Sequence, residues 1–192
     1  MIAIVKYNAG NIISVKNAVE RLGYSCIVTD DEKILKSAEK VIFPGVGEAS
    51  SAMRYLKEKG LNQVIKNLTQ PVLGICLGQQ LLCQFSEEGN TNCLGIFRAN
   101  VKKFEPKLKV PHMGWNTISN AKSTLYNRIS GTEDFYFVHS YYAEISEETT
   151  AICEYIIPFS ASMQKDNFYA TQFHPEKSSR PGEQLLQNFL KL

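Results

Sequence analysis

Along the first half of the chain, short apolar runs alternate with stretches of helical periodicity. Residues 2–5 form a continuous apolar run of strand length. Residues 13–22 repeat apolar positions at helical spacing, with Val15, Ala18, Val19 and Leu22 on one face and Gly23 as a stop. Residues 25–28 and 40–43 predict two further strands, the latter ending at Pro44-Gly45. Helical patterns over 49–59 and 61–68 then lead into an apolar run at 72–75. Strands alternating with helices predict an α/β fold with a doubly wound, mostly parallel sheet flanked by helices. In such sheets, sites form beyond the carboxyl ends of the strands.

The pattern changes in the second half, where strand-like runs crowd together at 94–104, 135–142, 150–158 and 168–173. The last is expected to pair with 160–164 as a hairpin through Lys165-Asp166-Asn167. These are additional antiparallel strands, and a final amphipathic helix over 182–190 follows Pro181. No linker, repeat or low-complexity segment interrupts the chain, so residues 1–192 are expected to form one domain.

The run at 72–75 ends in chemistry. In Pro71-Val72-Leu73-Gly74-Ile75-Cys76-Leu77-Gly78-Gln79-Gln80, a cysteine stands between two glycines and a helix-forming run follows. This is the strand, sharp turn and helix of a nucleophile elbow, with cysteine as the nucleophile. Side chains at either glycine would collide with the neighbouring strand or helix. A helix N-terminus behind Cys76 favours its thiolate, the form that attacks a carbonyl carbon. The same pattern also fits an inert, buried cysteine in a sheet-to-helix turn.

Composition narrows the setting. The 192 residues are 44% hydrophobic and 21% charged, with 21 basic against 19 acidic side chains and a formal charge of +2. This balance implies neither nucleic acid nor an anionic membrane as partner. The apolar start is too short for a membrane span and lacks a signal peptide's plan. Five scattered cysteines, Cys26, Cys76, Cys83, Cys93 and Cys153, include no Cys-x-x-Cys pair. That argues against disulfides and structural zinc, and favours a cytoplasmic location.

A thiol nucleophile needs a base, and the chain has three histidines. His174 lies in Gln172-Phe173-His174-Pro175-Glu176-Lys177-Ser178, where Pro175 pushes it into extended backbone. With i and i+2 on one side of an extended chain, Glu176 is expected to orient the imidazole. Cys76, His174 and Glu176 then have the nucleophile, base and orienter logic of a triad. His139, in the aromatic strand-like run 135–142, fits a hydrogen-bonded structural residue. His112, in the turn-like segment Pro111-His112-Met113-Gly114-Trp115-Asn116, is a weaker candidate. The histidines do not cluster with acids at ligand spacing, so no metal is expected. The Leu77 N–H is one expected oxyanion donor. The main chain of Pro44-Gly45-Val46-Gly47, at Val46 and Gly47, is a second, although these four residues also fit a plain loop.

The two motifs around Cys76 and His174 resemble those of the class I glutamine amidotransferases. Pro44–Gly47, Pro111–Asn116 and Tyr136-Phe137-Val138-His139-Ser140-Tyr141 extend the likeness essentially end to end. It implies hydrolysis of glutamine through a γ-glutamyl thioester on Cys76, with no cofactor. His174 would be base and acid, and Glu176 its orienter. Gln80, Glu88, Ser140 and Tyr141 match positions that hold glutamine. Glu88 would face the α-ammonium, although Glu87-Glu88-Gly89 also fits a solvated helix end. Trp115, Tyr136 and Lys177 match positions facing a partner. Within the class, the likeness is greatest to subunits that pass ammonia to a (β/α)8-barrel cyclase in histidine biosynthesis. A related subunit serving another synthase, such as one that modifies a surface sugar, is the alternative. Lys6 and Gln79 depart from the family pattern, where an acid and a methionine are usual. Gln79 is expected to point away from the substrate.

Overall fold

The computed structural model describes residues 1–192. The elements of the first half are β1 (Ile2–Val5), α1 (Ile12–Arg21), β2 (Cys26–Thr29), α2 (Glu32–Ser37), β3 (Lys40–Gly45), α3 (Ala49–Glu58), α4 (Leu61–Lys66), β4 (Val72–Cys76) and α5 (Leu77–Leu82). Short strands β5 (Phe85–Ser86), β6 (Thr91–Asn92) and β7 (Asn100–Lys103) follow. Then come β8 (His112–Thr117), β9 (Asp134–His139), β10 (Tyr141–Ala143), β11 (Thr149–Tyr155), β12 (Ile157–Lys165), β13 (Phe168–Thr171) and α6 (Ser179–Leu190).

The central sheet has seven strands in the order β11-β12-β13-β4-β3-β1-β2. From β13 to β2 all pairings are parallel, while β11 with β12 and β12 with β13 are antiparallel. This is the expected mostly parallel sheet with antiparallel additions. Alternation along β1 divides the interior. Ala3 and Val5 enter one core with α3, α4 and α5, whereas Ile2 and Ile4 enter the other with α1 and α6. Burial of a large apolar side chain such as Phe43 or Phe173, both fully enclosed, contributes about 1.5–3 kcal/mol.

Several elements differ from the sequence pattern. Helix α2, unforeseen, is capped by Asp31, whose carboxylate accepts from the Ile34 N–H at 3.0 Å. The segment at Pro111–Asn116 is no turn. His112–Thr117 is a strand that pairs with β9 and sets His112 opposite His139. Of the run 94–104 only β7 is a strand. The N–H groups of Leu94, Gly95 and Ile96 instead satisfy the terminal carbonyls of the short helix α5 at Leu81, Cys83 and Leu82. The run 135–142 breaks at Ser140, where the chain leaves β9 for a different sheet. Helix α6 begins before Pro181, which occupies its first turn, where a missing N–H costs no intrahelical bond. No helix is long and apolar enough to cross a membrane.

Candidate active site

Parallel register brings the predicted residues to one edge. Gly45, ending β3, pairs beside Cys76 at the end of β4, and on the other side Thr171 of β13 pairs with Ile75. The loops after β1, β3, β4 and β13 therefore converge. Cys76 has φ 54° and ψ −108°, a conformation costly for any residue but glycine. Packing holds it there. A Cβ on Gly78 would lie 1.8 Å from the Phe43 carbonyl oxygen, and one on Gly74 would lie 2.7 Å from Leu82 Cδ1. The elbow glycines are thus required by close approach to strand and helix, as the motif predicted.

His174 and the Glu176 side chain are completely buried, and His174 Nδ1 lies 2.8 Å from Glu176 Oε1. The carboxylate accepts only, so Nδ1 carries the hydrogen and Nε2 is the nitrogen left free of it. The route differs from the expected one. His174 is extended, but Pro175–Lys177 forms a 3₁₀ turn that brings Glu176 back under the ring. Ser178 ties this turn to β9, donating to the His174 carbonyl at 2.6 Å and accepting from the Tyr136 N–H at 2.9 Å. Asn11, unforeseen, donates from Nδ2 to the same Glu176 oxygen at 2.6 Å. Its backbone lies in the left-handed region at φ 70°, which asparagine tolerates. An asparagine after glycine at a helix start was the available signal.

Burial acts to lower the His174 pKa. The Cys76 sulfur and the Glu176 carboxylate outweigh it, and the ring is held well above the ordinary imidazole value. His174 Nε2 is buried and has no partner at regular hydrogen-bond geometry.

Cys76 opens into a cavity of about 250 Å³ that also involves Val46, Gly47, Leu77, Gln80, Glu88, Ser140 and Tyr141. Every predicted oxyanion and substrate residue is therefore brought to one place. Gln80 Nε2 donates to the Tyr141 carbonyl at 2.9 Å and to Gln172 Oε1 at 3.0 Å, which leaves its own carbonyl for a ligand. Glu88 is not on a helix end, because α5 stops at Leu82. It sits half-buried between β5 and β6, its carboxylate accepting from the Ala49 N–H at 2.8 Å. Burial raises its pKa, against the pull of that hydrogen bond and with nearby Glu48 adding to the rise. The Val46 carbonyl accepts from the Gly10 N–H at 3.1 Å.

The other two histidines form a buried pair. His112 Nδ1 and His139 Nε2 are 3.0 Å apart, and His139 Nδ1 donates to the Tyr141 carbonyl at 2.7 Å. Burial depresses the pKa of His112 to about 4 and of His139 to about 3, so both are neutral. On the outer side of the same ribbon, Trp115 is 54% exposed and packs edge-on against Tyr136 at 6.0 Å. Lys177 is exposed nearby in sequence to the triad, and Lys6 is exposed after β1. Gln79 points away from the cavity, donating to the Ser160 carbonyl at 2.9 Å.

A thiol in a strained elbow, a buried imidazole–carboxylate pair and a polar cavity on a parallel sheet define the class of thiol-dependent acyl-transfer proteins. Family comparison makes this specific. Residues 4–192 match the model of the family described as glutamine amidotransferase class-I, and the chain belongs to that family. It is 60% identical over 194 aligned residues to the imidazole glycerol phosphate synthase subunit HisH of Bacteroides fragilis, covering 100% of this chain and 99% of that protein. The protein of the same name from Bacteroides thetaiotaomicron is 57% identical over the same span. A solved structure described as a glutamine amidotransferase superposes with a TM-score of 0.78 at 18% identity, covering 100% of this chain and 98% of that one, a likeness of fold.

Proposed function

We propose that the chain is the glutaminase subunit of an imidazole glycerol phosphate synthase, and that it hydrolyses L-glutamine to glutamate and ammonia. The observation that carries the chemistry is Cys76 in its strained elbow, at the mouth of the same cavity as Gln80 and Glu88, with His174 and Glu176 buried behind it. The 60% identity over the full length supports the histidine pathway over a subunit serving another synthase.

In this reading Glu88 meets the α-ammonium of glutamine and the Gln80 carbonyl meets a donor of the ligand. The Cys76 thiolate attacks the side-chain amide carbon. The Leu77 N–H and a main-chain N–H at Val46–Gly47 stabilise the oxyanion. Gly10 holds the Val46 carbonyl, so the second donor follows a reorientation of that peptide. His174, its Nδ1–H fixed on Glu176, donates the Nε2 proton to the leaving nitrogen, and ammonia departs as the thioester forms. It then takes a proton from water, which attacks the thioester and frees glutamate. Ammonia is mostly protonated in neutral water and is then a poor nucleophile. It therefore passes directly to a (β/α)8-barrel cyclase subunit docked over Trp115, Tyr136 and Lys177.

The test is reconstitution with such a cyclase and its nucleotide substrate, following glutamine hydrolysis and product formation. Cys76→Ala is expected to abolish glutamine-dependent turnover while ammonium salts still support the cyclase. Glutamine-dependent turnover that survives in Cys76→Ala overturns the mechanism. Stimulation by a different synthase alone overturns the pathway.

A further inference from the structure

A fully buried amide, Gln172, bridges Cys76 and Gln80 behind the cavity that both of them line. Residues 172–174 are where the two-residue alternation of an extended chain applies. Phe173 turns into the aromatic core, its ring 4.2 Å from that of Phe135, while Gln172 and His174 both face Cys76. Gln172 Nε2 lies 3.7 Å from Cys76 Sγ, within reach of an N–H···S hydrogen bond, and Gln172 Oε1 accepts from Gln80 Nε2 at 3.0 Å. Gln80 gives its other N–H to the Tyr141 carbonyl, which His139 also holds. Every donor in this chain has one direction. If Gln172 rotated to offer its oxygen to the sulfur, it would place two N–H groups against Gln80 and break both contacts. One amide orientation therefore sets two things at once, a donor on the reacting sulfur and the face that Gln80 shows to the cavity.

We propose that Gln172 is a positioning residue that steadies the Cys76 thiolate by N–H donation and, through its carbonyl, fixes Gln80 with its own carbonyl toward the glutamine substrate. The part concerning substrate rests on the glutaminase reading above. The part concerning sulfur does not.

The experiment is pH-dependent alkylation of Cys76 by iodoacetamide on the full chain, read by peptide mass spectrometry so that the other four cysteines do not interfere. The midpoint reports the thiolate and, unlike the absolute rate, does not move with access. Gln172→Met keeps the volume and removes both polar atoms. It is expected to raise the midpoint by about one pH unit. In the reconstituted enzyme it is also expected to raise KM for glutamine. Gln80→Met touches no sulfur, yet it should move the midpoint the same way by less. The double variant should be no worse than Gln172→Met alone. A folded Gln172→Met chain with a wild-type midpoint overturns the proposal. Should Gln172→Met fail to fold, an unmoved midpoint in Gln80→Met overturns it instead. A wild-type chain that never hydrolyses glutamine with the cyclase sinks the functional reading, while the alkylation midpoints still judge the hold on sulfur.

Discussion

The neighbouring parallel strands β4 and β13 lead Cys76 and His174 to the same edge, and they do it by different means. At the end of β4 the backbone does the placing. Cys76 is held at positive φ between β3 and β13 by two glycines that have no room for a side chain. At the end of β13 the backbone of His174 is ordinary, with φ −98° and ψ 95°, and side chains do the placing. Glu176, Asn11 and Ser178 hold the ring and its turn through four hydrogen bonds that reach from the loop itself to the start of α1 and to β9. Cys76 is thus coupled to folding, whereas His174 is coupled to a local polar network. Substitutions behind the first should remove stability, and substitutions behind the second should remove activity.

The largest expected effect breaks the first arrangement. Gly78→Ala sets a methyl group against the Phe43 carbonyl, where only backbone movement can relieve the contact. Urea unfolding should show a loss of about 3 kcal/mol or more, at the upper end for overpacking. A midpoint unchanged from wild type would show that the elbow is not rigid. Glu176→Gln is the matching change at β13. It keeps the shape but removes the charge that orients and supports the imidazolium, and kcat for glutamine hydrolysis should fall by roughly 100-fold or more. Its unfolding midpoint should move far less than that of Gly78→Ala, and the reverse ranking would overturn the contrast.

The same contrast explains what was legible in the sequence. The parallel core and the elbow were readable because continuous apolar runs and Gly-x-Cys-x-Gly are local signals with one physical meaning. The pairing of Cys76 with His174 followed from the chemistry of a thiol needing a base. Strand β8 was missed because its residues alternate outward Met113 and Trp115 with His112, glycine and asparagine, which carries no apolar run. Glu176 does reach the His174 ring, but by another route, since a 3₁₀ turn after Pro175 replaces the extended geometry. Asn11 and Gln172 went unread because their partners lie 165 and 96 residues away, and the Gly10-Asn11 helix start signals a turn but not its partner. Only the fold brings such amides to the site.

The histidines of the two regions should also part company with pH. The raised pKa of His174 contributes stability that is fully present below about pH 6.5, the ordinary value, and is lost as pH rises through its folded-state value. His112 and His139 are depressed, so the unfolded chain takes up protons first. Their contribution is present above about pH 6.5 and is lost as pH falls toward about 4. Each histidine adds at most about 1.4 kcal/mol per pH unit within its window. Urea unfolding between pH 4.5 and 9 should show loss on both sides. Glu176→Gln should flatten the alkaline limb and His139→Gln the acid limb. An acid limb unaffected by His139→Gln would show that carboxylates, not the buried pair, govern it.

The smallest expected effect concerns strain at Cys76 itself. Cys76→Ala and Cys76→Gly both remove the thiol and should be equally inactive with glutamine. They differ in one methyl group, in the freedom of the unfolded chain, and in the cost of holding φ at 54° and ψ at −108°, which glycine adopts freely and alanine does not. Cys76→Gly should therefore be more stable than Cys76→Ala by about 1 kcal/mol, even though glycine lowers stability in most ordered positions. The comparison needs only paired urea titrations under identical conditions. If the alanine variant equals or exceeds the glycine variant, the elbow stores no strain, and the thiol is placed by packing alone. If the glycine variant wins, Cys76 is a residue kept in a costly conformation by the sheet around it, which His174 is not.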